Sequence, residues 1–176
     1  MTMEGLSANI YLTGFMGAGK TCAGNLLADS LRINFYDTDE LLKTSLGMSI
    51  EEIFRSKGEI FFRDCETEVL RELAQKDPGT CVIATGGGVV LREENLEIMH
   101  QNGLIIFLEV SFEEAYNRIR GSAVRPLLKG TDPKGFIAYL MRERMPFYQK
   151  ADHTVQSTGI SLHETVSNII AAIQKG

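Results

Sequence analysis

Gly14–Thr21 reads Gly-Phe-Met-Gly-Ala-Gly-Lys-Thr (GFMGAGKT), and the segments on either side of it decide the fold. Upstream, Asn9–Thr13 (NIYLT) is short, apolar and closed by glycine, as a buried strand is. Downstream, from Lys20 to Leu31, the apolar positions Cys22, Ala23, Leu26, Leu27 and Leu31 recur at helical spacing. A glycine-rich loop between a strand and a helix is the setting in which GxxxxGK[ST] binds a nucleoside triphosphate. Its backbone N–H groups converge on one point, and the start of the helix adds positive potential there. Gly14, Gly17 and Gly19 allow the close approach that a side chain would block. Lys20 can reach the β- and γ-phosphates, and the Thr21 hydroxyl can hold Mg²⁺.

The rest of the chain continues the alternation. Asn34–Tyr36 reads as a second strand, ending at Asp37. Thr38–Leu46 and Ile50–Lys57 read as short helices, with Gly47 as a stop, and Glu59–Ala74 as a longer one. Thr80–Ala84 is a third strand running into Gly86-Gly87-Gly88. Arg92–His100 is a helix and Leu104–Val110 (LIIFLEV) the clearest buried strand. Ser111 can cap the next helix, with Glu114 placed as in a capping box. Gly121–Pro133, rich in glycine, proline and basic residues, breaks the pattern and reads as a mobile surface loop. A helix from Lys134 to about Tyr148, a strand at His153–Gln156 and a helix at Leu162–Gln174 follow. Strands alternating with helices predict an α/β fold, a parallel sheet covered on both faces.

Bulk properties exclude several classes. The 176 residues suit one domain with a proper core. A net charge of −5 does not suit coating nucleic acid or an anionic membrane. The three cysteines, Cys22, Cys65 and Cys81, form no CxxC pair and fit a reduced, cytoplasmic setting. No signal peptide and no membrane-spanning run is expected.

The chemistry beyond the loop rests on carboxylates and arginines. FYDTDELL places Asp37 and Asp39 two apart at the carboxyl end of a strand, where open α/β sheets hold their ligands. On an extended segment both face one side, so one can support Mg²⁺ and the other meet a hydroxyl. Asp is equally a favoured N-cap. Arg63 in GEIFFRDCE, Arg125 in VRPLL and Arg144 in RERMPFY lie in mostly apolar settings. Their rigid forks match carboxylate or phosphate. The third strand ends without an aspartate, which shifts metal support onto Asp37, and no glutamate is evidently placed to activate water.

GFMGAGKT, DTDELL, SIEEIFRSKGEIFFRDCE, TGGGVV, RPLL and RERMPFYQKAD occur in the order seen in shikimate kinases, and the chain resembles that family from about Asn9 to Ile173. The resemblance implies a P-loop fold like that of nucleoside monophosphate kinases. It has a five-stranded parallel sheet in the order 2-3-1-4-5 flanked by helices, a shikimate-binding region at 33–62 and a mobile lid at 121–133, within a single domain of 1–176. It implies transfer of the ATP γ-phosphate to the 3-hydroxyl of shikimate, in the synthesis of chorismate and aromatic amino acids, by a cytoplasmic monomer.

By the same resemblance Gly17, Ala18, Gly19, Lys20, Thr21, Cys22, Arg118 and Arg125 bind ATP, with Arg118 near the adenine. Thr21 and Asp37 serve Mg²⁺. Asp39, Phe54, Phe62, Arg63, Gly86, Gly87, Gly88 and Arg144 form the shikimate site, with Lys20, Asp39 and Arg125 catalytic. Phe54 and Phe62 are as readily plain core residues. The rivals are a gluconate kinase of the same fold, since gluconate is also a hydroxylated carboxylate, and a nucleotide-binding regulator without catalysis.

Overall fold

The computed structural model describes residues 8–76, 81–120 and 132–174. Five parallel strands, β1 (Asn9–Thr13), β2 (Asn34–Asp37), β3 (Cys81–Ala84), β4 (Gly103–Glu109) and β5 (His153–Gln156), form one sheet in the order β2-β3-β1-β4-β5. This is the order expected. In the centre, Leu12 of β1 lies opposite Ala84 on one side and Ile106 on the other. Every residue of β1 is buried, because a parallel sheet joined by helical crossovers is covered on both faces.

The crossovers are α1 (Lys20–Leu31), α2 (Thr38–Leu46), α3 (Ile50–Lys76), α4 (Glu93–Asn102), α5 (Phe112–Ile119) and α6 (Pro133–Tyr148), and α7 (Leu162–Ile173) follows the last strand. The main core gathers Ile10, Leu12, Leu27, Val82, Ile106 and Ile169, all fully buried. A smaller cluster of Leu42, Ile53 and Phe62 joins α2 to α3.

Local signals set most boundaries. Gly47 ends α2 in the left-handed region, at φ 63°. The two helices read from Ile50 onward run on as α3, bent where they were expected to part. At the bend Gly58 takes φ 84° and ψ 171°, a region essentially reserved for glycine. Ser111 caps α5 by accepting the Glu114 N–H at 3.3 Å, but the reciprocal half of a capping box does not form. The Ser111 N–H donates to Thr158 Oγ1 at 2.7 Å, and the Glu114 carboxylate turns to Arg118 and to the Gly159 N–H. Of the segment 121–133, residues 121–131 lie outside the described residues. Asp132 caps α6 and Pro133 is its first residue, the helix position proline tolerates best.

The bend orients the half of α3 that carries Arg63 and Glu66. Among the described residues no heavy atom beyond the adjoining backbone lies within 4 Å of where a Cβ on Gly58 would stand, so an added side chain meets backbone strain alone. Gly58→Ala is expected to cost about 1–3 kcal/mol. Urea unfolding checks this, and an unshifted midpoint would mean that the backbone there takes another conformation.

Candidate active site

The phosphate loop opens α1 without a cap. Gly19, at φ 88°, is the N-cap residue, its helix receives no side-chain cap, and the first turn carries no acidic residue. By contrast α2, α5, α6 and α7 start on Asp37, Ser111, Asp132 and Ser161, whose side chains each accept a backbone N–H. Leaving the first amides of α1 uncapped, with no nearby acid, suits them to an anion. Gly14 is required by space as well as by its φ of 139°, since a Cβ there would stand 2.5 Å from the Leu108 carbonyl oxygen.

Lys20 Nζ folds over the loop and donates to the Gly14 and Phe15 carbonyls at 2.8 and 3.1 Å. The Ala18 N–H donates to the Phe15 carbonyl at 3.1 Å, so this amide serves the loop itself, and Cys22 is exposed in the first turn of α1. Arg118 lies across the loop, donating to the Gly17 carbonyl at 2.8 Å and to the Ser157 carbonyl at 3.3 Å while pairing with Glu114. Glu114 in turn accepts the Gly159 N–H at 2.9 Å, which ties α5 and the segment after β5 to the loop.

Asp37 and Asp39 part company. Asp37 ends β2, and its Oδ1 accepts the Asp39 and Glu40 N–H groups at 3.0 and 3.3 Å, capping α2. Its Oδ2 accepts the Thr21 hydroxyl at 2.7 Å, so the cap also faces the phosphate loop. Asp39 does not lie on an extended segment beside it, as the two-residue spacing suggested, but in the first turn of α2. From there its carboxylate faces the glycine turn, since Oδ1 lies 2.9 Å from where a Cβ on Gly86 would stand. Thr38, buried between the two aspartates, accepts the Gly86 N–H at 3.1 Å.

The glycine turn is a wall against which charged side chains press. A Cβ on Gly86 would stand 2.7 Å from Glu66 Oε1, and one on Gly88 2.5 Å from Arg63 Nη1. A Cβ on Gly87 would meet only ordinary contacts, at 3.5 Å or more. Arg63 donates to Glu66 Oε2 at 2.8 Å and sits over the Phe62 ring at 5.2 Å. Arg144, from α6, reaches the Gly87 carbonyl at 3.4 Å. Thus α2, α3, α6 and the turn after β3 bring Asp39, Arg63, Arg144 and Gly86–Gly88 together. Phe62 is buried in the small core and meets the site through Arg63, and Phe54 packs on it at 4.5 Å between ring centroids. Arg125 lies outside the described residues.

The shikimate kinase family model matches residues 16–174. The chain belongs to the shikimate kinase family. It is accordingly an ATP-dependent kinase of the P-loop fold. It is 41% identical to a shikimate kinase of Thermodesulfovibrio yellowstonii over 95% of each chain, and 42% identical to one of Symbiobacterium thermophilum over 95% of this chain and 97% of that one. A shikimate kinase from Acinetobacter baumannii, solved in complex with shikimate, superposes with a TM-score of 0.90 at 34% identity, covering 96% of this chain and 93% of that one. A gluconokinase from Sinorhizobium meliloti, 16% identical, superposes with a TM-score of 0.63 over 97% of this chain and 93% of that one, a likeness of fold alone.

Two residues of this kinase site escaped the sequence reading. Glu66 is fully buried, and its Oε1 has no hydrogen-bond partner among the described residues. Burial pushes its carboxyl up to about 7 against the lowering pull of Arg63; Asp39 adds to the rise and Arg144 opposes it. Tyr148, one helical turn beyond Arg144, is also buried and donates its hydroxyl to the Gly87 carbonyl. The available signal was spacing: Glu66 lies three residues after Arg63, and Tyr148 four after Arg144, so each shares a helix face with an arginine.

Because the folded value for Glu66 lies above the ordinary 4.5, the folded protein holds a proton that the unfolded chain has lost. The resulting stability is complete below the ordinary value and disappears as pH rises through about 7. Glu66→Gln should flatten that decline, as measured by urea midpoints of the ligand-free protein across the range. Equal slopes in both proteins would contradict it. Gly88 has φ −106°, which any residue adopts, so Gly88→Ala tests close approach alone. Pushing the Arg63 fork away should raise the KM for the acceptor about tenfold or more and leave that for ATP within about twofold. Equal changes in both would detach Arg63 from the acceptor.

Proposed function

We propose that this kinase transfers the γ-phosphoryl group of ATP to the 3-hydroxyl of shikimate, giving ADP and shikimate 3-phosphate. The observation that carries this reading is the convergence of Arg63 and Arg144, from different helices, with Asp39 on a glycine turn beside the phosphate loop. A carboxylated acceptor needs two such forks to fix its ring, and a hydroxyl in line with the phosphate needs a neighbouring base.

In this reading Arg63 and Arg144 hold the shikimate carboxylate, and the backbone of Gly86–Gly88 lies along the ring. Asp39 orients the 3-hydroxyl and takes its proton as the new P–O bond forms and the bond to the β-phosphate breaks. Phosphoryl transfer passes through a loose transition state, so positioning and charge neutralisation supply most of the acceleration. Lys20 leaves the Gly14 and Phe15 carbonyls for the phosphates, and the amides of Gly17 and Gly19–Thr21 surround them while that of Ala18 holds the loop's shape. Arg118 borders the adenine. Arg125 is assigned to the phosphates by the resemblance of RPLL alone, and 121–133 to a lid. The region 33–62 forms the acceptor side, with Phe54 and Phe62 behind it, and the clamp extends past it to Arg63.

Thr21 Oγ1 and Asp37 Oδ2, hard oxygens 2.7 Å apart, suit Mg²⁺, which keeps most of its remaining ligands as water and phosphate oxygen. When bound, Mg²⁺ neutralises charge on the phosphates. Among the described residues no helix is long and apolar enough to cross a membrane. We take the protein to act as a cytoplasmic monomer on this small molecule, without nucleic acid or membrane, on the way to chorismate and aromatic amino acids.

ADP release with Mg-ATP, run in parallel with shikimate, gluconate, AMP and no acceptor, tests the assignment. A rate only with shikimate is expected. A rate with gluconate or AMP in its place would overturn the acceptor, and nucleotide binding without turnover on any acceptor would overturn the kinase reading.

A further inference from the structure

The Gly87 carbonyl is shared. Tyr148 donates its hydroxyl to it, and Arg144 Nη1 reaches the same oxygen at 3.4 Å. A carbonyl has lone pairs for both donors. The positive charge of Arg144 also acts on the phenol. Arg144 and Tyr148 lie one turn apart on one face of α6, so the two donors converge on one oxygen. On its other side Gly87 faces the phosphate loop: a Cβ there would stand 3.5 Å from the Gly14 carbonyl oxygen and 3.6 Å from the Met16 nitrogen.

We propose that Tyr148 is a positioning residue that, through the Gly87 carbonyl, aims the Arg144 fork and sets the gap between the acceptor clamp and the phosphate loop. This rests on the reading of Arg144 as a ligand of the acceptor carboxylate. The Tyr148 ring is itself immobilised: it is 1% exposed and stacks on Phe107 of β4 at 5.1 Å between centroids, with 11° between the planes. A guanidinium on a long side chain has many rotamers, and holding it in one before the acceptor arrives removes that entropy cost from binding. Burial pushes the phenol up to about 12 despite the neighbouring positive charges of Arg144 and Arg63, so it remains a proton donor across the neutral range.

Tyr148→Phe removes the hydroxyl and keeps the ring on Phe107. The expected result is a KM for shikimate raised about tenfold, with the KM for ATP within about twofold and Tm shifted by only a few degrees. In an Arg144→Ala background the same substitution should change the shikimate KM by less than about twofold, because the group it aims is gone. An unchanged shikimate KM in Tyr148→Phe, beside a raised one in Arg144→Ala, overturns the positioning role alone. So does a fall in kcat and Tm at constant KM, the signature of a merely structural tyrosine, or an equal multiplication of KM in both backgrounds. A normal shikimate KM in Arg144→Ala overturns the clamp reading, and the role of Tyr148 with it.

Discussion

The Leu12 carbonyl accepts both the N–H and the hydroxyl of Thr85, at 3.1 and 3.0 Å. Leu12 lies just before the phosphate loop and Thr85 just before the glycine turn, so this pair of bonds fixes how the two loops leave the sheet side by side. The Gly86 N–H then bonds Thr38, which brings in Asp37 at the end of β2 and Asp39 in the first turn of α2. Three strand ends are thereby held in register before any ligand binds. A displacement of about 1 Å between donor and acceptor can cost on the order of a hundredfold in rate, so the parallel pairing of β1 with β3 is already part of the catalytic geometry.

Around that frame the acceptor cluster balances charge in a dry setting. Arg63 is 11% exposed and Glu66 fully buried, and burying such a pair brings the fold little net stability. Its use lies elsewhere. With its carboxyl raised to about 7, Glu66 carries a full negative charge only part of the time at neutral pH. The forks of Arg63 and Arg144 then face less negative charge from Glu66, and an incoming anion meets donors that water screens poorly. Apolar residues in place of Arg63 and Glu66 would pack at less cost in desolvation and would offer no donors to an anion.

Legibility followed sequence distance. GFMGAGKT, the Gly47 stop and the break after Lys57 were readable because each is decided by backbone conformation within a few residues. Asp37 and Asp39 were found, but their relation was not: β2 ends sooner than two-residue periodicity assumes, and helix geometry carries Asp39 toward Gly86 while Asp37 stays with Thr21. Glu66 stood among charged neighbours on a long helix and drew no reading, because the groups that bury it come from α2, the β3 turn and α6. Tyr148 read as a helix end for the same reason, since its partner Gly87 is sixty-one residues away.

The uncapped start of α1 shows how binding capacity is traded against local stability. At an ordinary helix start a side-chain cap in place of glycine adds only about a few tenths of a kcal/mol, and at φ 88° a side chain would be strained as well. It would also occupy amides that face the loop. The loop instead keeps its shape through internal contacts, the Ala18 N–H on the Phe15 carbonyl and the Lys20 ammonium on the Gly14 and Phe15 carbonyls. Arg118 braces it from α5 through Gly17. Of these contacts, the two made by Lys20 belong to a flexible side chain that can turn to a phosphate while the backbone stays where it is. The amide donors are therefore in place before the anion arrives, and the reorganisation that binding requires falls mainly on one lysine.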